Sequence, residues 1–340
     1  MTSTNRKPCM LMILDGWGIN DSHEGNAVFM ADTPVLDRLL NEYPHTRLQC
    51  SGKSVGLPPG IMGNSEVGHL NIGAGRVVYQ SLMRIDESIK NGSFFENKNL
   101  CSAMSVMSHS RLHIMGLVSD GGVHSQMTHL LALLDMARQN GLENVYVHAV
   151  LDGRDTPPTS GSGYIDKVRK HMDKHRFGTI ASICGRYYAM DRDKRWNRIE
   201  KAYRLYTLGE GVPETDPAVA VENAYKRGET DEFVKPIIMT DTDGGQPAIV
   251  RDGDGIIFFN FRADRAREIT RAFTDSEFDE FNRVIIPKLC QYTTMTGYDE
   301  SFINLPTAFP PVHLAAIIGE IVVTRGFVNS ALPKRKNMRM

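Results

Sequence analysis

The fold of this chain is most constrained by apolar, β-rich segments that alternate with helical patterns. The predicted strands are residues 10–14, which are expected to be buried, 112–118, 145–151, 180–184, 255–261 and 284–292. Helical patterns between them include residues 126–139 and 196–208. Thr33-Pro34 is expected to begin a further helix, whose apolar face would be Val35, Leu36, Leu39 and Leu40. This alternation is typical of an α/β fold with a largely parallel sheet.

Charged side chains follow the predicted strands. Asp15 follows the first, and the later strands are followed by residues 119–124, 152–155, 185–186 and 262–265. Ligands of open α/β sheets bind beyond the carboxyl ends of the strands. A guanidinium suits carboxylate and phosphate because it donates two parallel hydrogen bonds. Each arginine alone is compatible with a surface charge, but the set is expected to form a pocket for a small, multiply charged anion: Arg154, Arg186, Arg192, Arg262 and Arg265.

One serine, Ser65, lies in a glycine-rich segment, residues 63–75, that is expected to lead into a helix. A helix N-terminus offers free N–H groups and the positive end of a dipole to an anion. A serine needs a base or a metal to act as a nucleophile at neutral pH. The segment therefore has two interpretations: Ser65 accepts a phosphoryl group, or it is the N-capping residue of the helix.

Two other groups of residues are ambiguous in the sequence. Asp15 either hydrogen-bonds the turn that follows it or provides a hard oxygen ligand for Mn²⁺ or Mg²⁺. A metal-bound Ser65 alkoxide would explain why Asp15 and Ser65 share the N-terminal segment. His171 and His175 stand four residues apart on a predicted helix, but their Lys and Arg neighbours indicate a solvated face rather than a metal site.

Composition argues against several classes of function. Lys plus Arg number 39 and Asp plus Glu number 40, a balance that gives no support for binding to nucleic acid or to a membrane surface. Five cysteines that are far apart and form no C-x-x-C pattern argue against a disulfide framework or a zinc site and for a reducing compartment. No apolar run approaches membrane-spanning length, so a cytoplasmic protein is expected. The basic residues 333–336 are interpreted as a solvated tail.

Six motifs of this chain resemble those of the cofactor-independent phosphoglycerate mutases. They are DGWG at residues 15–18, MGNSEVGH at 62–69, SDGGVH at 119–124, LDGRD at 151–155, NFRADR at 260–265 and FPP at 309–311. Matching segments in the same order extend from about Cys9 to about Phe327, and together they are highly specific. The resemblance implies an alkaline-phosphatase-like metal domain with an inserted α/β transferase domain. Residues 1–79 would begin the metal domain, 80–312 would be the substrate-binding transferase domain, and 313–340 would start the return to the metal domain.

The resemblance also implies an isomerase of glycolysis that interconverts 3-phosphoglycerate and 2-phosphoglycerate without 2,3-bisphosphoglycerate. Ser65 would be phosphorylated, and Asp15 and Ser65 would ligate one of two Mn²⁺ ions, or Mg²⁺ or Co²⁺ in their place. The substrate would be held by His124, Arg154, Asp155, Arg186, Arg192, Arg262 and Arg265. The family resemblance further suggests a monomer whose partner is this small molecule.

The chain departs from the family pattern near its end. The family's other metal ligands are acidic and histidine residues of its C-terminal part, whereas no aspartate follows Asp299 here and His313 is the only histidine after His175. From Val328 onward the resemblance ends, and our hypothesis is a shifted reading frame or an incomplete gene. The chain as written is expected to be inactive, because two ligands do not hold two divalent ions against full hydration. The alternatives are a non-catalytic phosphoglycerate-binding fragment and a metal-dependent phosphohydrolase of the same superfamily.

Overall fold

A computed structural model describes residues 9–240 and 248–327. Its helices are α1 Ala27–Met30, α2 Pro34–Glu42, α3 Ser65–Ala74, α4 Ser81–Lys90, α5 Lys98–Val106, α6 Met127–Gln139, α7 Gly161–His175, α8 Arg186–Ala189, α9 Trp196–Leu208, α10 Pro217–Lys226, α11 Arg267–Thr274 and α12 Ile318–Thr324. Its strands are β1 Leu112–Leu117, β2 Val145–Leu151, β3 Thr179–Gly185, β4 Val212–Glu214, β5 Ile237–Met239, β6 Gly255–Phe258, β7 Gln291–Thr296 and β8 Thr307–Phe309. The predicted basic tail, residues 333–336, lies outside the described residues, as does the sequence from Val328 onward.

The described residues divide into two compact units. The first contains residues 9–79 and 314–327, and the second contains residues 80–240 and 248–313. Within the first unit, Arg76 Nη2 donates a hydrogen bond of 2.9 Å to the carbonyl oxygen of Ala315, so segments far apart in sequence meet there. The functions that the family resemblance assigns to these parts of the chain stay predictions.

The second unit is built on one sheet, which has the strand order β4-β5-β3-β2-β1-β6-β7-β8 among the described residues. Neighbouring strands are parallel except for the pair β3–β5. The predicted α/β class with a largely parallel sheet is therefore confirmed. Because β2 and β3 lie on one side of β1 and β6 and β7 on the other, the strand order reverses at β1. The crevice beyond the carboxyl ends of β1 and β6 is where ligands of such sheets bind.

Helices cover both faces of this sheet, and each face has its own apolar core. Leu112 and Ile114 of β1 belong to one core, whereas Met115 and Leu117 belong to the other. Successive side chains of a strand point to opposite faces, so β1 is buried along its whole length. Among the described residues, no helix combines the length and the apolar character that crossing a bilayer requires.

Most predicted elements of the second unit are confirmed to within three residues at each end, but the strand predicted at residues 284–292 is misplaced. β7 begins only at Gln291, and Val284, Ile285 and Ile286 are exposed. Pro287 has no N–H group to give to a strand ladder, so pairing starts beyond it. No prediction covers β4, β5 and β8, because three residues are too few to show a period.

In the first unit, the prediction that residues 10–14 form a buried strand is wrong. They form no strand, and Met10 and Leu11 are 80% and 75% exposed. A strand requires neighbours for its N–H and C=O groups, and the described part of the first unit contains no strand to pair with. Helix α2 begins at Pro34, directly after Thr33 as predicted, but none of its residues is buried.

Gly185, the last residue of β3, has no room for a side chain. A Cβ atom there would lie 2.2 Å from the carbonyl oxygen of Glu232, while the Gly185 N–H donates to the carbonyl oxygen of Val234 over 2.7 Å. We expect Gly185→Ala to lower the free energy of unfolding by about 1–3 kcal/mol, because backbone must move to admit the methyl group. Urea denaturation measures the change. Gly163→Ala is the matched control, since no atom lies within 4 Å of its Cβ position on α7, and it is expected to be neutral or stabilising.

Candidate functional site

Ser65 is the first residue of α3. The N-cap is Asn64, whose side-chain oxygen accepts a hydrogen bond from the Val67 N–H over 3.0 Å. The interpretation of Ser65 as the N-capping residue is therefore wrong. The Ser65 hydroxyl therefore does not cap the helix. It lies beside the N–H groups of the first turn, where an anion is favoured.

The structure brings Ser65 and Asp15 together from positions 50 residues apart. Ser65 Oγ donates a hydrogen bond of 2.7 Å to Asp15 Oδ2. A carboxylate in this position orients the hydroxyl and accepts its proton when the oxygen becomes a nucleophile. The pair is thus arranged both for nucleophilic chemistry and as two oxygen ligands for a hard cation.

His69 is a neighbour of Ser65 to which the sequence analysis gave no role. Its Nδ1 lies 2.7 Å from the Ser65 carbonyl oxygen and 3.3 Å from Ser65 Oγ. Because a carbonyl oxygen only accepts, Nδ1 carries the proton and donates to it. The hydroxyl proton of Ser65 is therefore directed to Asp15 rather than to His69. The four-residue spacing on α3 is the sequence signal that places His69 beside Ser65.

The loop before Ser65 is held by close backbone contacts. The Gly63 N–H donates to the carbonyl oxygen of Cys50 over 2.9 Å, and a Cβ atom on Gly63 would lie 2.3 Å from that same oxygen. Only glycine fits at this position without a backbone shift. The loop thereby fixes the point at which α3 begins and Ser65 is presented.

In the second unit, the loops after β1 and β6 meet at the crevice where the strand order reverses. The N–H groups of Phe261 and Arg262 both donate to the carbonyl oxygen of His124, over 2.8 and 3.3 Å. This backbone contact places the His124 side chain near Asp264, with Nδ1 at 3.7 Å from Asp264 Oδ1. The residues predicted to hold substrate lie in the loops around this crevice.

Arg186 is the central cation of this crevice. Its Nη1 donates to Asp152 Oδ1 and Asp155 Oδ2, both over 2.6 Å, and its Nη2 donates to His124 Nε2 over 2.9 Å. Arg186 and Asp152 are 3% and 2% exposed, so their charges are paired in the interior. Burial alone would raise the pKa of Asp152, but the Asp155 N–H and the Arg186 charge hold it below its usual value.

His124 is neutral at pH 7. Burial and the positive charge of Arg186 lower its pKa to about 4. Since Nε2 accepts the hydrogen bond from Arg186, Nδ1 carries the single ring proton and faces Asp264. His124 therefore adds a hydrogen-bond donor to the crevice without adding charge.

Three of the other predicted arginines are held by the carboxylate of Asp264 or by a carbonyl group. Arg192 Nη1 and Arg262 Nε lie 3.1 and 3.0 Å from the two oxygens of Asp264. Arg265 Nη1 donates to the carbonyl oxygen of Met190 over 2.9 Å. Burial and the neighbouring charges of Arg186 and Arg192 lower the pKa of Arg265, which shows that cations are crowded here. Asp152 and Asp264 are anchors that the sequence analysis did not single out.

A cavity of about 210 Å³ opens among these side chains, with mostly polar walls. Four of the seven predicted substrate residues line it: Arg154, Arg186, Arg192 and Arg265. Arg195 and Arg198 also line it and were not predicted, although the basic sequence around Trp196 was a signal for them. His124, Asp155 and Arg262 reach the cavity only through their contacts with lining residues or Asp264. Asp191, Asp193 and Glu232 line it as well, so six arginines face three carboxylates and the excess of positive charge suits a small, multiply charged anion.

Because His124 is buried in its neutral form, we expect the free energy of unfolding to fall as the pH is lowered. In the unfolded chain it protonates near its ordinary pKa of 6.5, whereas in the folded protein it stays neutral down to about pH 4. Folding therefore excludes a proton in this window, and the free energy of unfolding falls as the pH falls, by roughly 3 kcal/mol over the window at most. Urea denaturation of the parent chain and of His124→Gln at several pH values isolates this contribution. Parallel pH profiles for the two proteins would contradict the assignment.

Comparisons with known proteins identify the family. The model of the BPG-independent phosphoglycerate mutase N-terminus matches residues 85–300. A 2,3-bisphosphoglycerate-independent phosphoglycerate mutase of Syntrophotalea carbinolica is 55% identical over 96% of this chain and 63% of its own length. One of Methanosarcina acetivorans is 55% identical over 95% of this chain and 62% of its own length.

A solved structure agrees with these sequence matches. Leishmania mexicana phosphoglycerate mutase, crystallised at low cobalt concentration, superposes with a TM-score of 0.72 at 34% identity and covers 87% of this chain and 56% of its own. The chain spans about 63% of the length of the curated relatives that it matches. The prediction drawn from its motifs is confirmed: the chain belongs to the family of 2,3-bisphosphoglycerate-independent phosphoglycerate mutases.

Proposed function

We propose that the protein interconverts 3-phosphoglycerate and 2-phosphoglycerate, a step of glycolysis, through a phosphoserine at Ser65. The observation that carries this proposal is the arginine-lined cavity in the part of the chain that the family model matches. A mutase must retain the glycerate between two transfers, whereas a phosphohydrolase releases its alcohol. The buried Arg186 and the partly exposed arginines around it provide such retention, so they favour the mutase over the phosphohydrolase.

The substrate has a carboxylate and a phosphate, and the cavity offers several cations for them. Asp152 and Asp155 hold the Arg186 guanidinium in place, so its side chain does not have to become ordered when an anion binds. Arg154 is more than half exposed and lies 3.5 Å from Glu232, a loose contact that leaves it able to turn toward an anion. We propose that Arg186, Arg192 and Arg265 hold the glycerate portion, with Arg154 closing on it and His124, Asp155 and Arg262 supporting them.

A divalent metal fits the donors beside Ser65. Asp15 Oδ2 and Ser65 Oγ are oxygens 2.7 Å apart, and oxygen ligands suit Mn²⁺ or Mg²⁺. When bound, such an ion would lower the pKa of the serine hydroxyl and offset charge on the phosphoryl group. Two ions require more ligands than this pair supplies, so we propose that Asp15 and Ser65 contribute to one of them. The cobalt in the Leishmania mexicana crystals supports a divalent metal but not a choice among Mn²⁺, Mg²⁺ and Co²⁺.

The residues of the chain have separate tasks in the proposed reaction. Ser65 Oγ forms a bond to phosphorus as the bond from phosphorus to the substrate oxygen breaks. The hydroxyl proton of Ser65 passes along its hydrogen bond to Asp15, and the departing substrate oxygen takes up one proton to become a hydroxyl. The N–H groups at the start of α3 favour the negative charge of the phosphoserine. The retained glycerate then takes the phosphoryl group back on its other hydroxyl. We propose that this occurs in a cytoplasmic monomer, where the free thiols of the described cysteines stay reduced.

The test measures binding and turnover separately. Calorimetry with 3-phosphoglycerate tests the cavity, and an enolase-coupled assay with Mn²⁺ tests isomerisation. Because the matched relatives are longer, turnover is also measured in a fusion of residues 1–327 to the part of the Syntrophotalea carbinolica relative that follows its matched region. Binding by the chain and isomerisation by the fusion are expected. Release of free phosphate in place of 2-phosphoglycerate would favour a phosphohydrolase, and absence of both binding and turnover would overturn the proposal.

A further inference from the structure

A cluster of two histidines and an aspartate lies on the outside of the second unit. His171 and His175 stand one turn apart on α7, and Asp135 faces them from α6. His171 Nε2 lies 3.2 Å from Asp135 Oδ1, and the two imidazole rings have their centroids 4.8 Å apart. One potential ligand atom from each residue lies within 4.8 Å of the other two. In the sequence, the Lys and Arg neighbours of both histidines indicated a solvated face, and Asp135 is too distant along the chain to be associated with them.

This cluster is separate from the arginine-lined cavity. His171 and His175 are in the last turns of α7, and Asp135 is near the end of α6. Each helix returns the chain to the start of the next parallel strand, so the cluster lies toward the amino ends of the strands. The cavity lies beyond their carboxyl ends, at the opposite edge of the sheet. The cluster therefore has no part in the proposed phosphoryl transfer.

The donor set is that of a borderline-soft transition metal. Two imidazoles and one carboxylate, with a water in the fourth position, complete a tetrahedral zinc ion, and imidazole also suits Ni²⁺ and Cu²⁺. Ligand atoms of tetrahedral zinc stand about 3.3 Å apart, so the side chains need to close by about 1.5 Å at most. All three side chains are partly exposed, so rotation about their own bonds is free to make that adjustment.

The neighbouring charges decide how tight such a site is. Arg138 Nη2 lies 3.8 Å from Asp135 Oδ1, and Lys174 and Arg176 flank His175. Arg138 competes with a metal for Asp135, but its side chain is partly exposed and the contact of 3.8 Å is a weak one. Lys174 and Arg176 add positive charge beside His175. Because of these neighbouring charges, the site is expected to bind zinc with moderate rather than high affinity.

We propose that His171, His175 and Asp135 form a zinc-binding site that links α6 to α7. An ion there stabilises the folded second unit, because the ligands are brought together only in the folded chain. The site is distinct in chemistry from the Asp15–Ser65 pair, which offers oxygens alone. Zn²⁺ is its ligand, whereas Mn²⁺ and Mg²⁺ are expected to leave it empty.

Equilibrium dialysis of the full chain against Zn²⁺ tests the proposal. The parent is expected to bind one more zinc ion than His171→Gln/His175→Gln, and Asp135→Asn is expected to bind it about tenfold more weakly or worse. His23→Gln/His45→Gln is the matched control, since both histidines are exposed and lie in the first unit. Asp15→Asn removes a ligand beside Ser65 and so distinguishes zinc bound there from zinc bound at the cluster. This variant is expected to retain the zinc ion at the cluster.

Two further measurements make the outcome decisive. Zn²⁺ is expected to raise the thermal unfolding midpoint of the parent but not that of the double variant. In NMR spectra, substoichiometric Zn²⁺ is expected to shift the ring signals of His171 and His175 while those of His23 and His45 remain in place. If the double variant does not fold, Asp135→Asn and these spectra still decide. Equal zinc uptake by parent and double variant, or unshifted ring signals of His171 and His175, would overturn the proposal.

Discussion

Replacing Ser65 by alanine is expected to abolish phosphoryl transfer while the first unit remains folded. The substitution removes the hydroxyl that would carry the phosphoryl group and the hydrogen bond to Asp15. Loss of a covalent nucleophile lowers turnover by roughly 10⁴-fold or more. Alanine is a good helix former and Asn64 supplies the cap, so the free energy of unfolding is expected to change by less than about 1 kcal/mol.

The fusion protein with added Mn²⁺ gives the readouts, which are conversion of 3-phosphoglycerate and the intact mass of a phosphorylated chain. Asn64→Ala is the matched control, because it removes the cap at a cost of about 1 kcal/mol but keeps the nucleophile. Ser65→Ala should lose both turnover and the added mass, whereas Asn64→Ala should keep both. Turnover within tenfold of the parent in Ser65→Ala would show that another group accepts the phosphoryl.

The start of α3 shows what the sequence predicts and where it stops. A helix start beside Ser65 was predictable, because a capping residue has a local cause, but α3 lies within the glycine-rich segment rather than after it. The choice between cap and nucleophile was not, since Asn64 and Ser65 are both good capping residues and only the observed hydrogen bonds separate them. The contact with Asp15 spans 50 residues, a distance over which local patterns carry no information.

The position of the arginine cavity was predictable from the sequence, but the contacts that hold its arginines in place were not. The rule that ligands bind at the carboxyl ends of parallel strands placed Arg154, Arg186 and Arg265 in one region. It did not show that Asp152 would be buried against Arg186, because that pairing depends on the packing of two loops. The short strands β4, β5 and β8 show no period of their own, so only their neighbours in the sheet define them. The misplaced strand at residues 284–292 has a local cause, because Pro287 cannot donate to a strand ladder.

The second large effect is expected from Arg186. Arg186→Met keeps an unbranched side chain of similar length but removes the charge that pairs Asp152 and Asp155. Asp152 is then left as a buried carboxylate without its cation, and removal of one partner from a buried pair costs about 3–5 kcal/mol in the free energy of unfolding. The His124 ring loses the donor to its Nε2 as well.

Arg186→Lys separates charge from geometry. A lysine ammonium keeps the positive charge, but it is a single point that cannot reach Asp152, Asp155 and His124 together as the guanidinium does. We expect it to recover part of the stability lost in Arg186→Met while 3-phosphoglycerate binding stays at least about tenfold weaker than in the parent. Urea denaturation and calorimetry on the full chain measure the two quantities independently.

Arg169→Met is the control for loss of an arginine as such. Arg169 is partly exposed and pairs with Asp166 over 2.9 Å within α7, away from the cavity, and such pairs contribute little, so both stability and binding should stay near those of the parent. If Arg186→Met were as stable as Arg169→Met, the buried network would not hold the crevice together. If Arg186→Lys bound 3-phosphoglycerate as tightly as the parent, the fork of Arg186 would not be what positions the substrate, and the cavity would act through charge alone.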